Sequence, residues 1–262
     1  MASDNDTGPE ASGDFVQSLA RGLAVIRAFD GDNAQLSLSD VARRTDISRG
    51  AAGRFLRTLE TLGYVRSNGR MFSLTPHVLE LGFSYLSALS LPELVQPHLE
   101  ELSRRVDESV STAILDGTDI VYVARVPTRR IMSARITIGT RFPAYATSMG
   151  RVLLAGLAVD ERERRLQASG PIGLTDRTIT DPARLRAVID DVGAQGWAMV
   201  DSELELGLRS IAVPVHGRDG SVVAAVNVST AVTRVPEERV IGEYLPQLQA
   251  AAREIDAELA LV

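Results

Sequence analysis

From Leu19 the apolar residues recur at Leu23, Val25, Ile26 and Phe29, a spacing that predicts a first helix with Ser18 as its N-cap and Gly31 beyond its end. Ser37 can cap a second, short helix over 38–45, with Leu38, Val41 and Ala42 inward. Asp46, Ile47 and Ser48 make a tight turn ending in a new cap, and a third helix follows over 49–62. At helical intervals Ala52, Phe55, Leu56, Leu59 and Leu62 share one arc, and Gly50, Gly53, Arg54 and Arg57 fall opposite. Gly63 stops the helix, and residues 64–74 alternate around Asn68-Gly69, a strong hairpin signal. Helix, helix, turn, helix, β-hairpin is the order of a winged helix-turn-helix.

From Pro76 the pattern becomes two-sided. Val78, Leu81, Tyr85 and Leu89 form one stripe and Leu79, Phe83 and Leu86 a second, which predicts a linker helix over 76–90 that buries both faces and is a dimerisation candidate. Pro97 is expected to open the next helix, running to Val106 with Leu99, Leu102 and Val106 inward. Strand-like runs follow over 110–115, 120–126 and 131–138, and a hairpin over 210–215 and 222–229 turns at Arg218-Asp219-Gly220. Amphipathic stretches lie at 151–157, 161–167 and 183–195, with a final helix over 236–260. An antiparallel sheet with helices on its faces makes this an α+β domain. The expected division is a disordered acidic tail over 1–14, the winged domain over 15–75, the linker helix over 76–90 and the α+β domain over 91–262.

The chain of 262 residues has no cysteine and a net charge of −6, so no disulfide framework, thiolate metal site or cysteine nucleophile is available. No apolar run reaches the ~18 residues of a membrane span, and the opening Met-Ala-Ser-Asp-Asn-Asp is not a basic segment leading into an apolar one. The expectation is a cytoplasmic protein of two domains with no membrane partner. All 28 basic residues are Arg. Resolved by region, residues 1–14 carry −4, 15–75 carry nine Arg against five acids for +4, and 76–262 carry −6. A basic block hidden in an acidic protein is the electrostatic footprint of phosphate binding.

Double-stranded DNA suits that block. A major groove admits one helix, and Arg in its N-terminal half can reach a guanine edge, so Arg49 and Arg54 are candidates for base contact, with Arg57 on the same arc. Ser48 either bonds a phosphate or caps the helix. Gly50 and Gly53 cost the helix up to ~1 kcal/mol each relative to Ala, which suggests close approach of the backbone to something. Arg66 and Arg70 flank the hairpin tip, and Arg43 and Arg44 belong to the second helix, the one that crosses the DNA backbone. A solvated Arg face or a protein-binding winged domain are the alternatives. The conjunction of capped turn, basic arc and basic hairpin favours DNA.

No catalytic constellation is visible: His77, His98 and His216 lack metal-ligand spacing, and nucleophile-elbow, phosphate-loop and dinucleotide motifs are absent, so no metal and no cofactor are expected. Asp201, Glu203 and Glu205 alternate, and in a strand would share one face as a solvated face, a pocket wall or an acid/base pair. The segment from Arg141 through Tyr145, Thr147, Ser148 and Met149 to Gly150 precedes an apolar helix. It would place hydroxyls, N–H groups and an Arg at a helix N-terminus, which suits a small carboxylate. Plain N-capping by Thr147 or Ser148 is the alternative. Arg141 or Arg130 is the expected partner of the carboxylate.

Ser18-Leu19-Ala20-Arg21-Gly22-Leu23, Leu59-Glu60-Thr61-Leu62-Gly63-Tyr64, Ser148-Met149-Gly150-Arg151-Val152-Leu153-Leu154-Ala155 and Gly207-Leu208-Arg209-Ser210-Ile211-Ala212 together resemble the IclR-type bacterial transcriptional regulators over nearly the whole chain from Phe15. Arg130-Ile131-Met132-Ser133 and the run from Gly139 to Arg151 resemble the subgroup controlling aromatic-acid catabolism through protocatechuate, 4-hydroxybenzoate and β-ketoadipate. The resemblance implies a GAF-like effector domain, assembly as a dimer or dimer of dimers on operator DNA, and a pocket for a small carboxylate. By matched position, Thr147, Ser148 and Met149 would offer N–H groups or hydroxyls, and Asp201, Ser210, Asn227 and Ser229 would line the other side. An enzyme processing a small acid, and a regulator without small-molecule input, are the alternative functions.

Overall fold

The computed structural model describes residues 15–81, 91–128 and 136–261. The chain falls into two compact units, Met1–Ser87 and Ala88–Val262. In the first, helix α1 spans Gln17–Arg27 with Val16 as its N-cap and no side-chain cap, so Ser18 lies inside the first turn instead of ahead of it. Strand β1 (Leu36–Ser37) leads into α2 (Leu38–Arg44), where Ser37 and Asp40 form a reciprocal capping box. Ser48 caps α3 (Arg49–Thr61) by accepting from the Ala51 N–H at 3.2 Å.

Gly63, at φ +83°, ends the helical run. Strands β2 (Val65–Ser67) and β3 (Met71–Leu74) pair antiparallel around Asn68-Gly69. Asn68 Oδ1 accepts from the N–H groups of Arg70 and Met71, and Gly69 takes the positive φ the turn requires. Val25, Val41, Ala52, Leu56 and Val65 close the core of this unit. Leu62, expected on the packing arc of α3, is instead 55% exposed. The chain then passes through a short 3-10 turn, Pro76–Val78. Of the expected linker helix, residues 82–90 lie outside the described residues.

The second unit is built on a six-stranded antiparallel sheet whose strands lie side by side in the order 141–143, 119–126, 109–116, 222–231, 208–216 and 198–201. Helix α4 (Leu91–Val106) precedes β4 (Ser109–Asp116) and β5 (Asp119–Val126). Pro97 lies inside α4 and does not open it. Its ring is on the exposed side, so the Glu93 carbonyl that loses an N–H partner can turn to water. A three-residue edge strand, β6 (Arg141–Pro143), pairs with β5. Of the strand expected over 131–138, residues 131–135 lie outside the described residues. The described remainder leads into a turn in which Gly139 has φ +87°.

Helices α5 (Ser148–Ala155), α6 (Val159–Ser169) and α7 (Pro182–Gln195) follow, then β7 (Ala198–Asp201), β8 (Leu208–His216) and β9 (Val222–Ala231). The last helix, α8 (Leu245–Leu259), is preceded by a helical turn, Glu237–Arg239, and a π segment, Val240–Tyr244. Pro246 lacks the N–H that would reach back to Gly242, and the widened turn accommodates that loss.

Period-2 alternation sorts the strands into two faces. Val110, Val123, Val226 and Val228 point to the layer of α4 and α8, where Leu99, Leu248 and Ile255 are fully buried. Each such side chain contributes roughly 1.5–3 kcal/mol. Ala113, Tyr122, Ala212 and Ala225 face α5. On that second face the register aligns Arg125, Ser111 and Asn227 across β5, β4 and β9, and Ser109, Ser229 and Ser210 across β4, β9 and β8. The small residues let α5 lie close, and the hydroxyls and amide form a buried polar stripe beside it.

Candidate DNA surface and effector cavity

In the first unit the seven candidate arginines separate by partner. Arg43 pairs with Asp40 at 2.7 Å, one helical turn away. Arg44 is a structural tie, its Nη1 donating to the Ala28 carbonyl at 3.1 Å and pairing with Asp30 at 3.2 Å. Arg66 donates from Nε to Ser73 Oγ across the hairpin at 3.1 Å. Arg49, Arg54, Arg57 and Arg70 are exposed, with no ion pair among the described residues. The first three stand on α3, whose thirteen residues span about 20 Å.

Gly50 and Gly53 part company. A Cβ at Gly50 would meet nothing within 4 Å, so that stretch of backbone is bare on the exposed side. Gly53 is buried and does not belong to the exposed arc: its Cβ would come within 3.7 Å of Leu38, so the residue serves the crossing of α2 over α3. Ser48 is engaged as the cap, which leaves its O–H proton available.

In the second unit, Tyr122, Met149, Val200, Leu204 and Leu208 supply the apolar wall of a cavity, and Thr147, Ser210, Asn227 and Ser229 its polar side, with Ala146 and Ile136 completing the described lining. The residues around it leave about 390 Å³ of empty space, part of it continuous with solvent. Burial pushes the Tyr122 hydroxyl up to about 12, with Arg125 opposing, so the phenol is neutral at physiological pH.

Thr147 caps α5, its Oγ1 accepting from the Gly150 N–H at 3.1 Å. Of the two readings of this helix start, capping is therefore realised. Gly150 is the residue the motif cannot replace, because a Cβ there would fall inside the carbonyl oxygen, Cα and C of Ala144. Ser148 Oγ is bonded to Ser210 Oγ, joining α5 to β8. Asn227 Nδ2 donates to Ser229 Oγ at 3.1 Å and to Ser210 Oγ at 3.5 Å.

Thr147, Met149, Ser210, Asn227 and Ser229 thus converge on one cavity, while the other expected residues lie elsewhere. Ser148 sits behind Ser210. Tyr145 packs with Ile179 and Leu185, its hydroxyl donating to the Ile172 carbonyl at 3.0 Å and accepting from the Ile172 N–H at 3.2 Å. Asp201 is held by Arg209 and Ser202. Burial raises its pKa, but the Ser202 hydroxyl and Arg209 guanidinium outweigh that and keep the carboxyl below its ordinary value.

Arg141, the expected carboxylate partner, is an exposed tie on the sheet edge, bonded to Asp116 and Asp119. Arg130 lies outside the described residues. Glu203 and Glu205 do not continue the face of Asp201, because β7 ends there and Ser202 turns the chain at φ +59°. Glu203 instead meets the buried Arg151 at 2.7 Å. Among the described residues no cluster of His, Asp or Glu has the geometry of a metal site.

Tyr122, Val200 and Leu208 escape sequence reasoning because apolar strand residues carry no mark of which element will cover them, and Leu204 because it lies in the bend between β7 and β8. A usable signal does exist in Ser109-x-Ser111 and Asn227-x-Ser229, polar residues at alternate positions of otherwise apolar strands.

Residues 18–69 match the IclR helix-turn-helix domain, and residues 83–257 match the C-terminal domain of the bacterial transcriptional regulator IclR. The Pca regulon regulatory protein of Pseudomonas putida is 46% identical over 247 residues, covering 94% of this chain and 85% of that protein. A transcriptional regulator from Rhodococcus sp. RHA1 superimposes with a TM-score of 0.86 at 57% identity, over 94% of this chain and 99% of the other. An IclR homologue from Microbacterium hydrocarbonoxydans, crystallised with 4-hydroxybenzoate, gives 0.83 at 26% identity, over 94% and 100%. No helix among the described residues is long and apolar enough to cross a membrane. With its helix-turn-helix unit, its α+β effector unit and matches that span most of the chain, the protein belongs to the IclR family of transcriptional regulators, DNA-binding proteins under effector control and not enzymes.

Proposed function

We propose that this regulator binds operator DNA through α3 and the 65–74 hairpin as a dimer or dimer of dimers, in the cytoplasm. Its effector is a small carboxylate of aromatic-acid catabolism, a hydroxybenzoate or β-ketoadipate-like acid. Arg49, Arg54, Arg57 and Arg70 contact the DNA, with Ser48 and the bare backbone at Gly50 close to a phosphate. Arg43, Arg44 and Arg66 add positive potential behind them. The proposed division of labour is residues 15–75 for DNA, 76–90 for linkage and self-association, and 91–262 for the effector, with 1–14 an acidic tail. Self-association has support in an apolar groove of the first unit, lined by Leu19, Leu23, Phe55, Leu62 and Leu81 and open to solvent.

The cavity carries the effector reading: a mostly apolar wall with Ser210, Asn227 and Ser229 on one side suits a small ring bearing polar substituents. The Microbacterium homologue holds 4-hydroxybenzoate and the Pseudomonas relative regulates the Pca regulon, which points to the same chemistry. The cavity is narrow, and a bound ring would part its apolar wall. A ligand that favours the opened state shifts the equilibrium between two conformations, as an effector must.

The test is fluorescence-anisotropy titration of the full chain on DNA upstream of its own and adjacent genes. Arg54→Ala should weaken binding and lower the salt slope by about 1. Saturating 4-hydroxybenzoate, protocatechuate or β-ketoadipate should change the affinity by about 5- to 150-fold. No binding at low salt refutes the DNA surface, and no response to any of the three acids refutes the effector class.

A further inference from the structure

Two buried polar atoms on the α5 face of the sheet have no hydrogen-bond partner among the described residues, Asn227 Oδ1 and Arg125 Nε. They belong to one row. The ladder sets Arg125 opposite Ser111 and Ser111 opposite Asn227, so the three share a face of adjacent strands. Arg125 leans along this row, its Nη1 donating to Ser111 Oγ at 3.0 Å. Asn227 is 2% exposed and lines the cavity, with its Nδ2 already committed to Ser210 and Ser229.

The two atoms demand opposite chemistry. Asn227 Oδ1 only accepts, so a carboxylate cannot satisfy it and an O–H or N–H donor can. Arg125 only donates; among the described residues it has one hydroxyl as partner and no carboxylate within ion-pair distance. Burial lowers its pKa, as expected of a guanidinium whose charge is not compensated. A buried donor or acceptor left unmet is costly, and two in one row beside a cavity mark positions that a bound group would satisfy. A guanidinium fork is the side chain best matched to a carboxylate.

We infer that Arg125 and Asn227 read opposite ends of the effector, Arg125 its carboxylate and Asn227 Oδ1 a hydroxyl donor. This rests on the effector reading above and specifies it further. Adjacent strands lie about 4.8 Å apart, and Arg125 reaches across one of the two spacings between its strand and that of Asn227. The ligand's polar ends are therefore separated by a single ring or a chain of about four to six atoms. The positive partner of the carboxylate is then Arg125, on the same sheet face as the polar stripe. Arg141, on the sheet edge, is occupied by two aspartates.

Isothermal titration of the full chain tests this with 4-hydroxybenzoate, 3-hydroxybenzoate and protocatechuate, against benzoate, which lacks the hydroxyl, and 4-hydroxybenzamide, which lacks the charge. Wild type should bind at least one hydroxy acid about tenfold more tightly than benzoate, and more tightly still than the amide. Arg125→Gln should weaken the hydroxy acid by more than tenfold and remove the preference for acid over amide, with Arg125→Lys recovering part of it. Asn227→Leu should bring hydroxy acid and benzoate to equal affinity. Retained operator binding and an unchanged urea midpoint establish folding; should Asn227→Leu not fold, the benzoate comparison on wild type still decides its part.

Variants that bind the hydroxy acids as wild type does, or a wild type that binds benzoate equally well, overturn the inference and leave the effector reading standing. A wild type that binds only β-ketoadipate, titrated in parallel, overturns the inference alone, and one that binds none of the acids overturns both.

Discussion

Removing the Glu203 carboxylate should be the most damaging single change in the effector unit that touches no cavity-lining side chain. Arg151, on α5, is 2% exposed, and its Nη2 donates to Glu203 Oε2 at 2.7 Å while its Nε donates to the Tyr145 carbonyl at 3.0 Å. The same Oε2 accepts from the Ile179 N–H at 2.9 Å. Glu203→Ala therefore strands a buried guanidinium group and a buried backbone N–H together. Breaking a buried pair from one side costs about 3–5 kcal/mol, and the stranded Ile179 N–H places this case toward the upper end. For a unit of this size each kcal/mol lowers the melting temperature by about 2–4 °C, so the expected loss is about 6–20 °C.

Trp197, the chain's single tryptophan, adjoins β7 and reports the transition by fluorescence. The double change Arg151→Met with Glu203→Leu removes both charges and should recover most of the loss, because the desolvation penalty of the guanidinium disappears with it. A single variant that loses less than about 1 kcal/mol, or a double variant no more stable than the single, would refute the reasoning.

Gly150→Ala should destabilise the same unit by about 1–3 kcal/mol or more, since the clash is with the backbone of Ala144 and not with a flexible side chain; a melting temperature within 2 °C of wild type would contradict it. Gly50→Ala meets open space and should stabilise α3 by up to about 1 kcal/mol while weakening operator binding; a gain in stability with unchanged affinity rules out backbone approach to the DNA at that position. Glu108 is fully buried, and burial raises its carboxyl above the ordinary 4.5 against the opposing Thr230 hydroxyl and Arg234. Folded protein then holds a proton that unfolded chain releases. The associated stability is fully present below the unfolded value and is lost as pH rises through the folded one. Relative to Glu108→Gln, wild type should therefore lose stability as pH rises above the ordinary carboxyl value of 4.5, and urea midpoints of the two proteins that run parallel from below that value upward would exclude this.

What the sequence determined by itself is local. Ser37 with Asp40, Ser48 before α3, Asn68-Gly69 in the hairpin and the apolar periods of α2, α3 and α7 depend on neighbours within one turn, so their signals survive in the linear pattern. Exposure had to be supplied by the fold: Pro97 is tolerated inside a helix because it faces solvent, and Gly53 is buried because α2 crosses it. Ser202 reverses the alternation that would have aligned Asp201, Glu203 and Glu205, and sends Glu203 to Arg151.

The tertiary structure alone decided which charges are already satisfied and which polar atoms are not. Arg44 meets Asp30 and Arg141 meets Asp116, pairs distant in sequence that leave Arg49, Arg54, Arg57, Arg70 and Arg125 among the cations with no ion pair among the described residues. Ser148 meets Ser210 because α5 packs on the sheet, and Arg125 aligns with Asn227 through strand register, which places residues a hundred positions apart on one row. Such contacts have no period along the chain. They exist because burying one face of the sheet sets the register of every strand, and with it the side chains that line the cavity.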